Sequence, residues 1–370
     1  MDPFLDLYAR VIVEHALAVA PGHTVLIESS ATGAPLADAI FAHALAAHAV
    51  PRVRLWPDGF LETRVQSASP EVLEEADWVR AATYRSVDRR VNILAEENTR
   101  ATSSLPAARV ASAERGRHRL LKLLLDRAAT GETVWCAAQY FTQAYAQEAG
   151  MSLGEYRDLL GRALLLDHDD PVAAWRHVAE RQERIRAFLS GVDELRFVAP
   201  GTDLRLRVGG RRWVSSAGTA NLPDGEVFTG PHEDSAEGTV RFTFPSVRNG
   251  RLVTDARLRF RGGRCVEATA ASGGEFLEAA LDLDDGARRL GEIAFGLNDG
   301  VDRPTGDTLI DEKIGGSFHL ALGASYAETG GSNESDLHWD LVCDLRRGGE
   351  VYADGALVYR DGRFLDAVVR

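Results

Sequence analysis

Leu204-Arg205-Leu206-Arg207-Val208 alternates apolar and basic side chains without a break. Successive side chains of a strand point to opposite faces, so this stretch buries its leucines and valine and wets its arginines. The same alternation recurs in Leu195-Arg196-Phe197-Val198, Arg241-Phe242-Thr243-Phe244 and Ala256-Arg257-Leu258-Arg259-Phe260. Gly209-Gly210, Asn249-Gly250 and Gly262-Gly263 separate such runs as hairpin turns do. The chain after Gly191 therefore reads as mainly antiparallel β, interrupted by one helix around 274–283.

Upstream of Gly191 the texture differs. Asp2-Pro3 opens a helix, with Asp as cap and Pro at the first helical position. Thr24-Val25-Leu26-Ile27-Glu28 is a buried-strand candidate, followed by a helix over 35–48 and a strand near 53–56. A strand near 91–94, a helix over 113–128 and a strand near 133–136 continue the rhythm, which implies a mostly parallel sheet with crossover helices. Ser152-Leu153-Gly154-Glu155 carries a capping-box pattern. Asp170-Pro171 starts a long Arg- and Glu-rich helix that ends near Ser190-Gly191. The expected fold class is α/β. An N-terminal α/β domain with a mostly parallel sheet spans 1–191, and a C-terminal α+β domain with a mainly antiparallel, β-rich core spans 192–370.

The chain has 370 residues and a formal net charge of −13, which argues against a nucleic-acid partner, since that requires a basic face. An acidic protein suits cations or the ammonium end of a peptide. Lys122 and Lys313 are the only lysines in an otherwise Arg-based set of cations, which singles out Lys313. Cys136, Cys265 and Cys343 lie far apart with no Cys-x-x-Cys spacing, so neither a disulfide framework nor a Cys-based zinc site is expected. No apolar run approaches the ~20 residues that span a bilayer. The expected setting is soluble and cytoplasmic, with no membrane partner.

Chemistry-bearing residues gather in the second half. His319, His338 and Asp340 are ligand types for zinc, manganese or cobalt. Asp340 follows His338 by two positions, so in a strand both side chains share a face. Glu226 follows the turn signal Pro223-Asp224-Gly225, where a strand would begin; the bland alternative is an exposed acidic turn. Glu292 sits inside apolar Leu290-Gly291-Glu292-Ile293-Ala294-Phe295-Gly296, a costly place for a charge unless it is paired, liganded or at a wet edge. Each residue alone has a structural explanation. Their accumulation in one domain favours a hydrolase with two metal ions.

These segments resemble the thermophilic metallo-aminopeptidase family, the type of aminopeptidases T, S and II. The resemblance rests on Pro-Asp-Gly-Glu-Val-Phe at 223–228, Glu-Asp-Ser-Ala-Glu-Gly at 233–238 and Gly-Glu-Ile-Ala-Phe-Gly at 291–296. It continues through Glu-Lys-Ile-Gly-Gly at 312–316, His319, and the stretch from Tyr326 to Asp340. The resemblance implies that Glu226, Glu292, His319, His338 and Asp340 bind two divalent ions (Zn, Co, Mn or Mg), and that Tyr326 serves catalysis. A carboxylate, Glu292 or Glu226, is expected to handle the proton of the attacking water. It also implies a peptide or small amino-acyl substrate and a homodimer that encloses the active sites. Glu312 and Lys313 would orient ligands from behind.

Three other functions compete. A ring-cleaving dioxygenase of the dihydroxypyridine type, which shares the fold family, would hold one ferrous ion with two His and one carboxylate. Glu at 292, where that branch has His, speaks against it. A glycosidase using Glu226 and Glu292 leaves the imidazoles without a role. A non-catalytic anion binder could use Ser29-Ser30-Ala31-Thr32-Gly33 before a helix, although no Gly-x-Gly-x-x-Gly fingerprint is present.

Overall fold

The structure is a computed structural model describing residues 2–75 and 77–369. The chain forms two compact units, Met1–Ala173 with Gly218–Pro223, and Ala174–Ala217 with Asp224–Arg370. The sequence texture changes at Gly191, yet the units part earlier. The reason is the helix Pro171–Leu189, whose Ile185 and Leu189 enter the core of the second unit.

The first unit holds a five-stranded sheet in the order Val50–Trp56, Thr24–Ser30, Arg89–Leu94, Val134–Gln139, Asn221–Leu222. Every neighbouring pair is parallel. Val25, Leu26 and Ile27 are all buried, the continuous apolar run expected of a strand inside a parallel sheet. The local start signals are realised, with Asp170 Oδ1 accepting from Val172 N–H at the start of Pro171–Leu189. Asp2 Oδ1 accepts from Phe4 N–H, and Ser152 and Glu155 form the reciprocal box. The fifth strand comes from the C-terminal half of the sequence. Its two residues, Asn221 and Leu222, are too few to carry any periodicity.

The second unit packs two antiparallel sheets face to face. The larger has eight strands: Arg264–Thr269, Ala256–Arg261, Glu237–Phe242, Thr202–Arg207, Glu194–Ala199, Glu350–Ala353, Ala356–Arg360 and Arg363–Phe364. Leu204, Leu206 and Val208 are buried while Arg205 and Arg207 are exposed, as the alternation requires. The smaller sheet has the order His338–Asp344, Ser317–Gly323, Leu290–Gly296, Glu226–Thr229, Val214–Ser216. Phe197 of the larger sheet stacks on Phe318 of the smaller, with ring centroids 4.4 Å apart, and lies 5.8 Å from Phe295.

Asn249-Gly250 and Gly262-Gly263 do close hairpins. Gly209-Gly210 does not: it leads from Thr202–Arg207 in the larger sheet to Val214–Ser216 in the smaller. A glycine pair permits a tight turn but does not dictate that the next strand pairs with the last.

Candidate metal centre

The smaller sheet has two unlike faces. Val227, Ile293, Phe295, Phe318, Leu320, Trp339 and Leu341 point into the hydrophobic core. The opposite face carries Glu226, Glu292, His319, His338 and Asp340. Antiparallel register aligns them: Glu292 faces Ala321 and Ala321 faces Asp340, His319 faces Ala294, His338 faces Gly323, and Glu226 faces Gly296. Each functional side chain thus has Ala or Gly on at least one side across the strands, although His319 also faces Val342 and Glu226 also faces Ser216, and four strands deliver their acids and imidazoles to one place.

Glu292 reaches this face by alternation: from Glu292 to Gly296 the pairing with Ala321 to Ser317 is unbroken, so Glu292 shares the side of Ala294, which faces His319. An irregularity precedes it. Leu290 pairs with Leu322 and Glu292 with Ala321, so Gly291 is an extra residue opposite no partner. The bulge sets Leu290 on the core face although it lies two residues from Glu292. A Cβ on Gly291 would come within 2.0 Å of Ala324 O, so only glycine fits the bulge without displacing that carbonyl.

The resulting cluster is tight. His319 Nε2 lies 3.4 Å from Glu226 Oε2 and 3.4 Å from Glu292 Oε1. His338 Nε2 lies 3.8 Å from Glu292 Oε2 and 3.6 Å from Asp340 Oδ2. Three trios each offer ligand atoms within 4.8 Å of one another: Glu226, Glu292 and His319; Glu292, His338 and Asp340; Glu312, His319 and Asp340. Glu292 belongs to the first two. The Nδ1 atoms are held by carbonyls, His319 by Glu312 O at 3.1 Å and His338 by Ala324 O at 2.9 Å. That bond makes Nδ1 the donor and turns each Nε2 toward the acids.

All five residues expected from the sequence come together. Glu226, Glu292, His319 and Asp340 are buried, and the His338 side chain is 28% exposed. Tyr326 stands at the rim, its ring 5.0 Å from that of His338 and 5.8 Å from that of Phe228. Desolvation of its hydroxyl, then the surrounding carboxylates, push its phenol above the ordinary value, so it stays protonated. One residue of the centre went unread as such. Asp224, the middle of an apparent surface turn, is fully buried, and Lys313 Nζ lies 3.7 Å from its Oδ1. Lys313 is itself buried against Glu226 and Glu312. The signal available was the Lys itself, in a chain that otherwise uses Arg.

The donor set suits divalent cations. Glu226 Oε2 and Asp340 Oδ1 are buried with no hydrogen-bond partner among the described residues, an expensive state that a cation relieves. Burial raises Glu292, with Glu226 and Asp340 adding repulsion, and burial raises Glu312 well above its ordinary value. Burial opposes charge on His319, yet hydrogen bonding with Glu292 and the charges of Glu226 and Asp340 push it up to about 9. Such crowding of like charge is the electrostatic signature of a cation site.

Two trios of nitrogen and oxygen ligands sharing one carboxylate, on the β-rich unit of a chain that also carries a parallel α/β unit, define a metallohydrolase. The chain belongs to the thermophilic metalloprotease family M29, whose family model matches residues 1–364. It is 30% identical to Aminopeptidase 2 of Geobacillus stearothermophilus, over 87% of this chain and 84% of that protein. It is 34% identical to Aminopeptidase T of Thermus aquaticus, over 70% of each. The solved structure of wild-type AmpT from Thermus thermophilus matches with a TM-score of 0.85 at 27% identity, covering 98% of this chain and 99% of that one. The 2,5-dihydroxypyridine dioxygenase of Pseudomonas putida KT2440 matches with a TM-score of 0.63 at 15% identity, over 98% of this chain and 97% of that one, and shares the fold alone. The ring-cleaving alternative gains no support from that likeness.

Proposed function

We propose that this metallo-aminopeptidase removes N-terminal residues from peptides, with Glu226, Glu292, His319, His338 and Asp340 holding two divalent ions. The observation that carries the assignment is Glu292, whose two oxygens each approach a different imidazole, at 3.4 Å and 3.8 Å. One carboxylate shared by two ligand trios is the arrangement of a two-ion centre.

When bound, the two ions supply an acidified water and polarise the scissile carbonyl. The protein's own groups do the rest. A carboxylate of the centre, Glu292 or Glu226, receives the proton of the attacking water at one of its oxygens and passes it to the departing amine. Tyr326, kept protonated, donates to the oxyanion of the tetrahedral intermediate. The acidic surroundings attract the free α-ammonium of the substrate, which restricts cleavage to the first residue.

The substrate is a peptide or a small amino-acyl compound, and the metals are drawn from Zn, Co, Mn and Mg. The protein works as a cytoplasmic homodimer. No described helix is long and apolar enough to cross a membrane.

The test is metal removal by a chelator, followed by hydrolysis of leucine p-nitroanilide and re-addition of cobalt, zinc or manganese. The expected result is loss and then recovery of turnover. Turnover that survives complete stripping overturns the proposal.

A further inference from the structure

Five carboxylates and one ammonium crowd the buried side of the centre. Asp224, Glu226, Glu292 and Asp340 are each less than a tenth exposed, and the Glu312 side chain is 13% exposed. Lys313 is fully buried. Its Nζ lies 2.5 Å from Glu226 Oε1, 2.7 Å from Glu312 Oε1 and 3.7 Å from Asp224 Oδ1. An ammonium is costly to bury, and it persists there only when anions surround it. A compact point charge fits among three carboxylates where the planar fork of an arginine would not.

Two consequences follow from where this cation sits. The first is geometric. Lys313 occupies Glu226 Oε1, which leaves Oε2 as the oxygen that faces His319 Nε2 at 3.4 Å, buried and without a hydrogen-bond partner. The second is electrostatic. In the metal-loaded centre, with the carboxylates ionised and the imidazoles neutral as ligands, five carboxylates against one ammonium leave four negative charges, and two divalent ions cancel four. Residual charge in a buried, weakly screened site is strongly unfavourable, so the lysine sets how many divalent ions bring the site to neutrality.

We propose that Lys313 is the built-in third cation of the centre: it restricts Glu226 to ligation through one oxygen and fixes the metal complement at two. Lys313 is a positioning residue, acting through Glu226 and Glu312. This inference rests on the two-metal assignment above and adds to it the device that sets the ion number.

The test compares full-length wild type, Lys313→Met, Glu312→Gln and the double variant. Met keeps most of the length of the lysine stem and removes its charge. Metal-stripped proteins are titrated with Mn²⁺ by calorimetry, and bound metal per chain is counted after equilibrium dialysis. Wild type takes two ions. Lys313→Met takes a further ion or holds the weaker of the two at least about tenfold more tightly, and Glu312→Gln holds it at least about tenfold more loosely. The double variant, again neutral with two ions, returns to within about threefold of wild type. A purely structural lysine would give no such return.

A Lys313→Met protein with wild-type stoichiometry and affinities overturns the inference. If that variant does not fold, a double variant no tighter than Glu312→Gln overturns it equally. A wild type that binds fewer than two ions sinks the two-metal assignment and this inference with it. A wild type that binds two beside an unaltered Lys313→Met sinks the inference alone.

Discussion

Glu292 Oε1 lies 3.4 Å from His319 Nε2 on the sheet face that Glu292 shares with Ala294, one residue past a bulge at Gly291. The other oxygen points toward His338. Glu292→Gln keeps the shape and removes the charge that both trios use. The expected outcome is a drop in bound metal below two per chain. The loss in kcat/KM should exceed the about 10–100-fold seen when only a partner behind a ligand is removed. Metal counting and steady-state kinetics on the same preparation check both.

Tyr326 tests the oxyanion role. Its ring packs against His338 and Phe228, so Tyr326→Phe retains the packing and loses only the hydroxyl. A donor aimed at the transition state affects kcat rather than KM. The expected fall in kcat is about 10²–10³-fold, with KM nearly unchanged and metal content intact. A rise in KM at constant kcat would instead assign Tyr326 to ground-state binding.

Much of this was legible from residues alone, for definable reasons. Period-2 alternation in Leu204–Val208 survives because one face of that strand meets the core and the other meets water. The spacing of His338 and Asp340 placed both on one face because both lie in the strand His338–Asp344. Short helices at Phe60–Ser67 and Trp78–Tyr84 gave no such signal, since Phe60, Leu61, Trp78 and Val79 are all exposed and no apolar stripe forms. The Gly291 bulge depends on the register with Ser317–Gly323, which a single strand does not encode. The meeting of Asp224 with Lys313 is a contact between distant segments that only the fold creates.

Glu233 tethers the segment that follows Tyr326. Its carboxylate accepts from Ser332 N–H at 2.7 Å and Ser332 Oγ at 2.9 Å, and pairs with Arg211 at 2.6 Å. Burial alone would raise its pKa, but the Ser332 and Glu233 N–H groups, the Ser332 hydroxyl and Arg211 together lower it from 4.5 to about 2. A depressed folded-state pKa stabilises above the unfolded value, so this contribution is complete above pH 4.5 and vanishes as pH falls through about 2. Thermal melts of wild type and Glu233→Gln across that window should converge at the acid end and separate above it. Parallel curves would deny the tether its role.

Gly291 provides the most specific test of how the sheet builds the site. Adding a Cβ there meets Ala324 O at 2.0 Å and Gly323 O at 2.5 Å. Ala324 O is also the acceptor that holds His338 Nδ1 at 2.9 Å and so aims Nε2 toward Asp340 and Glu292. Gly291→Ala must therefore either move the Ala324 carbonyl, releasing the imidazole, or undo the bulge, so that Leu290 and Glu292 can no longer hold opposite faces. The first outcome weakens one ion by about 10–100-fold, the usual effect of losing the group behind a ligating histidine, and leaves the second bound. The second turns Leu290 out of the core or Glu292 into it, and either lowers the melting temperature of the metal-free protein. Metal titration together with melting of the stripped variant distinguishes the two. A variant with native affinities and stability would mean that the backbone yields there, and that the bulge is not what keeps Leu290 and Glu292 on opposite faces.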